Sequence, residues 1–261
     1  FALAAVGDPQ SQTLKDALTA VEAVPAPWPV DVGGETAEDR DSLAALTRAM
    51  PYAIAIIALA TFILLFLFTG SVVMPLKALV LNTLSLSATF GAMVWIFQEG
   101  HLSWLFPDLT VTGFLTPTMP PLMFCVAFGL SMDYEVFLLS RIREEWLASG
   151  RTASDNAHAV ALGLGRTGRI VTAAALLMAI VFAAISRSHV AFMMLFGTGL
   201  TLAVLMDATI VRGTLVPAFM RLAGRWNWWA PAPLARLHTR FGLSEEHAVH
   251  MPSAEQPVAV G

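Results

Sequence analysis

Two ionisable residues, Asp133 and Tyr134, interrupt a long apolar stretch in the middle of the chain. The stretch begins near Pro117 and ends at Arg141, which follows Asp133 by eight positions. At a rise of about 1.5 Å per residue, the carboxylate lies roughly 12 Å from the polar end of a helix. A carboxylate at such a depth in a bilayer costs on the order of 3 kcal/mol unless it is paired or hydrated. Because buried charges of this kind usually have a function, the pair indicates a proton relay.

The neighbours of the pair predict how its helix is used. Gly129 and Cys125 precede Asp133 by one and two helical turns on the same face. Small residues at this spacing allow another helix to approach closely. The hydroxyl of Tyr134 can donate to the ionised carboxylate. We therefore expect Asp133 and Tyr134 to face a bundle interior, with Cys125 and Gly129 packing against a helix that carries a polar partner.

Three other charged residues lie in or near apolar segments. Glu135 is roughly 200° around the helix from Asp133 and is expected to pair with a basic group near the inner membrane boundary. Asp207 and Arg212 are expected to form a structural ion pair or to anchor a loop. The end of the apolar pattern places Asp207 near the cytoplasmic boundary, too far from Asp133 for the two carboxylates to meet.

The composition is that of an integral membrane protein. Of the 261 residues, 56% are hydrophobic and 13% are charged, which is outside the range of an ordinary soluble domain. The single cysteine, Cys125, leaves no intramolecular disulfide and no Cys-x-x-Cys metal site. No metal or organic cofactor is predicted, and no nucleic-acid partner is expected.

Five apolar stretches predict an all-α membrane protein with a bundle of five transmembrane helices. The predicted transmembrane domain covers residues 49–221 and follows an extracytoplasmic segment at residues 1–48. Residues 222–261 are predicted to form a cytoplasmic tail with interfacial tryptophans and a short basic amphipathic helix at 233–241. The predicted spans are residues 51–69, 76–97, 117–140, 168–186 and 190–220.

The arginines predict the orientation of the chain. Residues 141–169, between the third and fourth spans, contain five arginines, whereas residues 98–116 contain neither lysine nor arginine. By the positive-inside rule, the arginine-rich segment is cytoplasmic. The acidic N-terminal segment then lies outside the cell. We expect a multi-pass protein of the plasma membrane that contacts membrane lipids.

Four stretches resemble the MmpL (mycobacterial membrane protein large) transporters of the resistance–nodulation–division (RND) superfamily. The resemblance covers nearly the whole chain from about residue 30 onwards, in the same order. The stretches are residues 129–146 (GLSMDYEVFLLSRIREEW), 32–37 (VGGETA), 205–213 (LMDATIVRG) with 216–218 (VPA), and 227–238 (NWWAPAPLARLH).

The resemblance implies a twelve-span protein of two similar halves, each with an extracytoplasmic porter domain. This chain would hold the end of the second porter domain and spans eight to twelve, without the N-terminal half. In such transporters an Asp–Tyr pair on span ten, matched here by Asp133 and Tyr134, faces a second pair on span four. Proton passage there drives export. The resemblance thus implies proton-driven export of lipids or other hydrophobic or amphipathic molecules by a protein that is not an enzyme.

Two other classes of function compete with this interpretation. Intramembrane aspartyl proteases need two catalytic aspartates on different spans, and the sequence places only Asp133 deep in the membrane. A protease is therefore disfavoured. A non-transporting module that binds lipid or sterol shares the helix arrangement and is the alternative interpretation. In either case, we expect Asp133 and Gly129 to lie on an open side of the five spans, because their partner would belong to the missing half.

Overall fold

The computed structural model describes residues 11–25, 27–28, 31–101 and 118–241. Within these ranges the chain is helical and contains no β-strand. Two π-helical segments, Val94–Gln98 and Asp207–Leu215, continue the third and sixth α-helices, and a 3₁₀-helix follows at Gly224–Trp228. The α-helices are α1 (Gln12–Glu22), α2 (Glu35–Thr69), α3 (Val73–Met93), α4 (Met119–Ala148), α5 (Ala153–Ile185), α6 (Ala191–Met206), α7 (Val216–Ala223) and α8 (Ala232–Phe241).

Five helical stretches in the described part of the chain are long and apolar enough to cross a membrane. Each is at least 26 residues long, whereas about 20 residues span the hydrocarbon core. The all-α membrane fold predicted from the sequence is thereby confirmed. The five stretches are Glu35–Thr69, Val73–Gln98, Met119–Ala148, Asp155–Ile185 and Ala191–Trp228.

The helices extend beyond the apolar pattern from which the spans were predicted. The sequence places a helix start at Pro51, whereas α2 begins at Glu35 and contains Pro51. Much of the segment predicted as a basic loop is also helical, because α4 continues to Ala148 and α5 begins at Ala153. At this start the Thr152 hydroxyl accepts from the Asp155 amide, and the Asp155 carboxylate accepts from the Thr152 amide. An apolar pattern predicts only the part of a helix that lies in the hydrocarbon core, so it does not predict these polar helical ends.

Helix α6 lies in the middle of the bundle and packs against α3, α4 and α5. Leu81 of α3, Leu138 of α4 and Leu200 of α6 are fully buried in the common core. A Cβ atom at Gly197 in α6 would lie 2.5 Å from the Ser186 amide nitrogen, so the close approach of α6 to the end of α5 requires glycine there. The core therefore depends on close backbone approach, as is common between membrane helices.

The outer helices present apolar side chains away from the bundle. On α2, Ile56 and Leu59 are 68% and 61% exposed, and on α5 Leu177 is 66% exposed. Helix α2 also packs against α1, where Arg40 pairs with Glu22 at 2.7 Å. A surface as apolar as that of α2 and α5 is suited to contact with acyl chains.

Helix ends that should share one side of the membrane, if successive spans cross it in alternating directions, lie together in the structure. The Val72 amide, between α2 and α3, donates to the Trp229 carbonyl at 3.1 Å. Trp146, near the end of α4, stacks on Trp228 with ring centroids 5.3 Å apart. The α2–α3 turn, the end of α4 and the segment after α7 therefore lie at the same end of the bundle, which is the end predicted to be cytoplasmic.

Candidate functional site

Helix α4 places its two neighbouring carboxylates on opposite faces. Glu135 is buried, and so are Ser131 and Leu138 on the same side of the helix. Asp133 is exposed. A separation of two residues corresponds to about 200° around an α-helix, so both observations follow from helical geometry. The two carboxylates therefore have different environments.

Asp133 belongs to an open stripe that also contains Gly129 and Cys125. All three residues are exposed, and a Cβ atom built at Gly129 would meet no atom within 4 Å. Among the described residues, none forms a hydrogen bond or an ion pair with the Asp133 carboxylate. The open side expected for Asp133 and Gly129 is thus present. The packing contact expected for Cys125 and Gly129 is not supplied by the described helices.

On the opposite, buried side of α4, Ser131 joins an ion pair formed within the last span. The Arg212 Nη2 atom lies 2.5 Å from Asp207 Oδ2, and both residues are more than 90% buried. The Ser131 hydroxyl donates to Asp207 Oδ1 at 2.9 Å. Arg212 Nη2 also donates to the Ser131 carbonyl oxygen at 2.5 Å. Both carboxylate oxygens of Asp207 are therefore engaged, which offsets part of the cost of burying the charges.

The π-helical segment Asp207–Leu215 explains how these two residues pair. In an α-helix, residues five apart are about 140° apart around the axis and do not face each other. A π-helix bonds residue i to residue i+5, so Asp207 and Arg212 come onto one face. The predicted pairing of these residues is present, but the local helix type that allows it was not predicted. π-Helical turns are frequent at functional sites.

The sequence interpretation placed Asp207 too close to the cytoplasmic boundary. Its contact with Ser131 puts its carboxylate at the level of Ser131, about 3 Å along the helix axis from Asp133. The expectation that Asp133 is the only deeply placed aspartate is therefore wrong. The apolar pattern ends at Met206 because the next residues include the Asp207–Arg212 ion pair, whose two charges neutralise each other. The span itself continues beyond this point.

Arg212 also links this ion pair to the candidate relay pair. Its guanidinium carbon lies 5.1 Å from the centroid of the Tyr134 ring, a distance typical of a cation–π contact. Tyr134 is half-buried and adjoins the exposed Asp133. A cation on the last span, Arg212, therefore contacts the Asp133–Tyr134 pair of α4 through the Tyr134 ring.

Glu135 is almost completely buried and lacks a full set of partners. It is 4% exposed, and its Oε1 atom has no hydrogen bond among the described residues. Lys77 of α3 is also buried, at 7% exposure, and attracts Glu135 electrostatically, as does Arg212. No ion pair within 4.0 Å joins Glu135 to either cation in the described structure. The basic group expected near Glu135 is thus Lys77, at a longer distance than an ion pair.

The site is one of proton-binding and charged side chains. In the described ranges, no cluster of three or more His, Cys, Asp or Glu side chains could hold a metal ion. Asp133 presents an ionisable carboxylate on the open face. The Asp207–Arg212 pair, whose charges are already matched, is suited to hold Tyr134 in position.

The five spans and these intramembrane ionisable residues define a polytopic α-helical membrane protein with a charged site inside its bundle. The chain belongs to the MMPL family, whose family model matches residues 3–254. The resemblance seen in the sequence is thereby confirmed.

Individual relatives agree with this assignment. A membrane protein of Streptomyces coelicolor is 48% identical over 231 residues, which cover 88% of this chain and 32% of the relative. The trehalose monomycolate exporter MmpL3 of Mycobacterium tuberculosis is 40% identical over 275 residues, covering 100% of this chain and 28% of the exporter. The heme uptake protein MmpL11 of the same species is 37% identical over 235 residues, covering 88% and 24%. The chain therefore spans about a third or less of the length of these relatives.

Proposed function

We propose that this chain is part of a proton-driven exporter that moves lipids or other hydrophobic or amphipathic molecules across the plasma membrane. The observation that carries the proposal is the position of Asp133. Its carboxylate lies in the middle of α4, on a side that no described helix covers. Ionisable residues within membrane spans typically line ion pathways or proton relays.

In the proposed cycle, Asp133 is protonated from the outer side and releases its proton toward the cytoplasm. The ionised form is stabilised by a polar partner, and the neutral form releases that partner, because only the charge makes the contact favourable in a low-dielectric environment. Arg212, through its contact with the Tyr134 ring, holds the residue next to Asp133 in position during this cycle. The change in charge on α4 thus becomes a change in helix packing.

The partner of Asp133 is proposed to lie in the remainder of the transporter, N-terminal to this chain. The relatives are about three to four times as long as the matched region, which leaves room for a second half with its own polar pair. Gly129 and Cys125 leave the backbone of α4 accessible beside Asp133, so another helix can approach there. That helix would cover the open stripe.

The proposed cargo is hydrophobic or amphipathic. The matching M. tuberculosis relatives are named for trehalose monomycolate export and heme uptake. Outward-facing apolar surfaces on α2 and α5 give a lipid-like molecule a path along the protein without crossing water. In this proposal the protein catalyses no covalent reaction; proton movement supplies the driving force.

Reconstitution into vesicles that enclose a pH-sensitive dye tests the proposal. We expect the chain alone to insert and to carry no protons, and the complete transporter to carry them when a pH gradient is applied together with cargo. A lipid-binding module without transport would give no proton flux in either preparation. Proton-coupled flux by the isolated chain would show that the site is complete without a second half.

A further inference from the structure

A cleft opens at the predicted cytoplasmic end of the bundle, next to the last span. It has a volume of about 400 Å³ and is lined by Arg225, Trp226, Trp228 and Trp229. The sequence predicted an aromatic belt for these tryptophans, but they have two different environments. Trp226 and Trp229 are 65% and 47% exposed, whereas Trp228 is partly buried.

Trp228 forms a rigid wall of the cleft. Its ring lies parallel to that of Trp146, with an interplanar angle of 3° and centroids 5.3 Å apart. Its indole nitrogen donates to Asn156 Oδ1 at 3.0 Å. The Asn156 amide in turn donates to the Met220 carbonyl at 2.9 Å. Helices α4, α5 and α7 therefore all position this indole.

Hydrogen bonds also hold the backbone of the cleft. The Ser71 hydroxyl donates to the Asn227 backbone carbonyl at 2.5 Å, and the Val72 backbone amide donates to the Trp229 backbone carbonyl at 3.1 Å. The Asn227 side-chain amide donates to the Met220 backbone carbonyl at 2.6 Å, and Asn227 is fully buried. A cleft built in this way is preorganised, so little ordering is needed when a ligand binds.

The chain segment that forms the cleft is basic. Residues 208–241 contain five arginines and neither aspartate nor glutamate. One of the five, Arg212, is used in the buried ion pair. Arg225 is exposed and forms no ion pair with any described residue. The other three arginines are Arg221, Arg236 and Arg240.

We propose that this cleft binds the headgroup of an anionic phospholipid from the adjacent leaflet. Arg225 donates to the phosphate, for which a guanidinium has the matching geometry. Trp226 and Trp229 contact the boundary between headgroup and acyl chains, where indoles are favoured in membranes. Leu222, three residues before Arg225 in the chain, is 85% exposed and offers an apolar surface for the chains. An isolated phosphate ion would leave this apolar surface without a contact.

The test compares soluble short-chain lipids bound to the full-length protein in detergent, with tryptophan fluorescence as the signal. Dioctanoyl phosphatidylglycerol is expected to bind saturably, and dioctanoyl phosphatidylcholine much more weakly. Arg225→Gln should weaken phosphatidylglycerol binding by about fivefold or more, the factor that corresponds to about 1 kcal/mol per basic side chain near an anionic surface. The melting temperature of the lipid-free variant should not change, because Arg225 is exposed.

Arg236→Gln on α8 is the matched control, since it removes the same charge from an exposed arginine that does not line the cleft. We expect less than a twofold effect from this control. Equal weakening by the two variants would show diffuse electrostatic attraction and no specific site. Binding of phosphatidylcholine as tight as that of phosphatidylglycerol would show apolar partitioning without headgroup recognition. Competition by inorganic phosphate as strong as by phosphatidylglycerol would show an anion site that does not recognise lipid.

Discussion

The guanidinium of Arg212 lies 5.1 Å from the centre of the Tyr134 ring and joins two spans that are far apart in sequence. On one side of this contact, Arg212 is fixed by Asp207 and by the Ser131 carbonyl. On the other side, Tyr134 adjoins the exposed Asp133. The contact therefore lies between the buried Asp207–Arg212 ion pair, whose charges are matched, and the Asp133 carboxylate, which has no ion-pair partner among the described residues. The variants below distinguish these two roles.

Replacement of Asp133 by Asn should abolish proton-coupled export by the complete transporter, because an amide cannot take up a proton at physiological pH. Asp133 makes no hydrogen bond or ion pair with the described residues, so the folding of the five spans should not change. Flux into vesicles and the melting temperature in detergent provide the two measurements. Export at the wild-type rate would leave Asp133 with a structural role only.

Asp207 is expected to behave in the opposite way. Asp207→Leu leaves the buried Arg212 without its partner, and breaking a buried ion pair from one side costs about 3–5 kcal/mol. The double variant Asp207→Leu/Arg212→Met removes both charges and should recover most of that loss. A chemical unfolding series over the wild type, both single variants and the double variant measures the coupling. Additive effects would mean that the pair contributes no interaction energy.

The contrast between Asp133 and Asp207 shows what the sequence could predict. The opposite faces of Asp133 and Glu135 follow from helical periodicity, which local sequence determines. The depth of Asp207 depends on a π-helical segment and on its register against α4, and both result from packing between distant segments. The apolar pattern therefore predicted five spans but not the buried network that joins the third span to the fifth.

The ends of the helices show the same limit. Polar helical ends such as the beginning of α2 at Glu35 do not differ in hydropathy from a polar loop. The use of Trp228 also could not be read from the sequence. Three neighbouring tryptophans suggested an interfacial belt, and only the stacking on Trp146 and the hydrogen bond to Asn156 assign this one to the interior.

Gly129→Leu tests whether another helix covers the open stripe. A side chain at Gly129 meets no described atom within 4 Å, so the isolated chain should accept leucine without loss of stability. In the complete transporter, the leucine should separate α4 from its proposed partner and reduce export at least tenfold. Gly165→Leu is the matched control, because Gly165 is exposed and equally open. If both variants export normally, the stripe faces lipid.

The orientation of the chain can be tested with introduced cysteines. The native Cys125 is exposed and is first replaced by serine. A cysteine at Ala148, at the end of α4, should then react with a membrane-impermeant maleimide only from the cytoplasm, and a cysteine at Glu99 only from outside. Both positions are exposed, so accessibility alone does not bias the result. The reverse labelling pattern would invert the topology and place the tryptophan cleft outside the cell.

Helix α8 is held against the bundle through His238. Its ring packs edge-on to Phe66 with centroids 6.0 Å apart, and its Nε2 atom lies 3.5 Å from Arg143 Nη2. The turn at Gly70 fits closely under this ring, since a Cβ there would lie 2.9 Å from His238 Cε1. Burial, and then the charge of Arg143, lower the pKa of His238 below its ordinary value, although a hydrogen bond with the Leu67 backbone acts in the other direction.

A lowered pKa means that docked α8 binds fewer protons than undocked α8. Docking should therefore be strongest above about pH 6.5, the ordinary value for histidine, and should weaken as the pH falls below it toward the pKa of the docked state. Spin labels on cysteines at Thr239 and Ala148, in a Cys125→Ser background, measure the distance between α8 and the end of α4. We expect a narrow distance distribution at about pH 8 and a broad one at about pH 5.5. His238→Gln should remove this dependence on pH, and a distribution that broadens equally in that variant would assign the effect to another group.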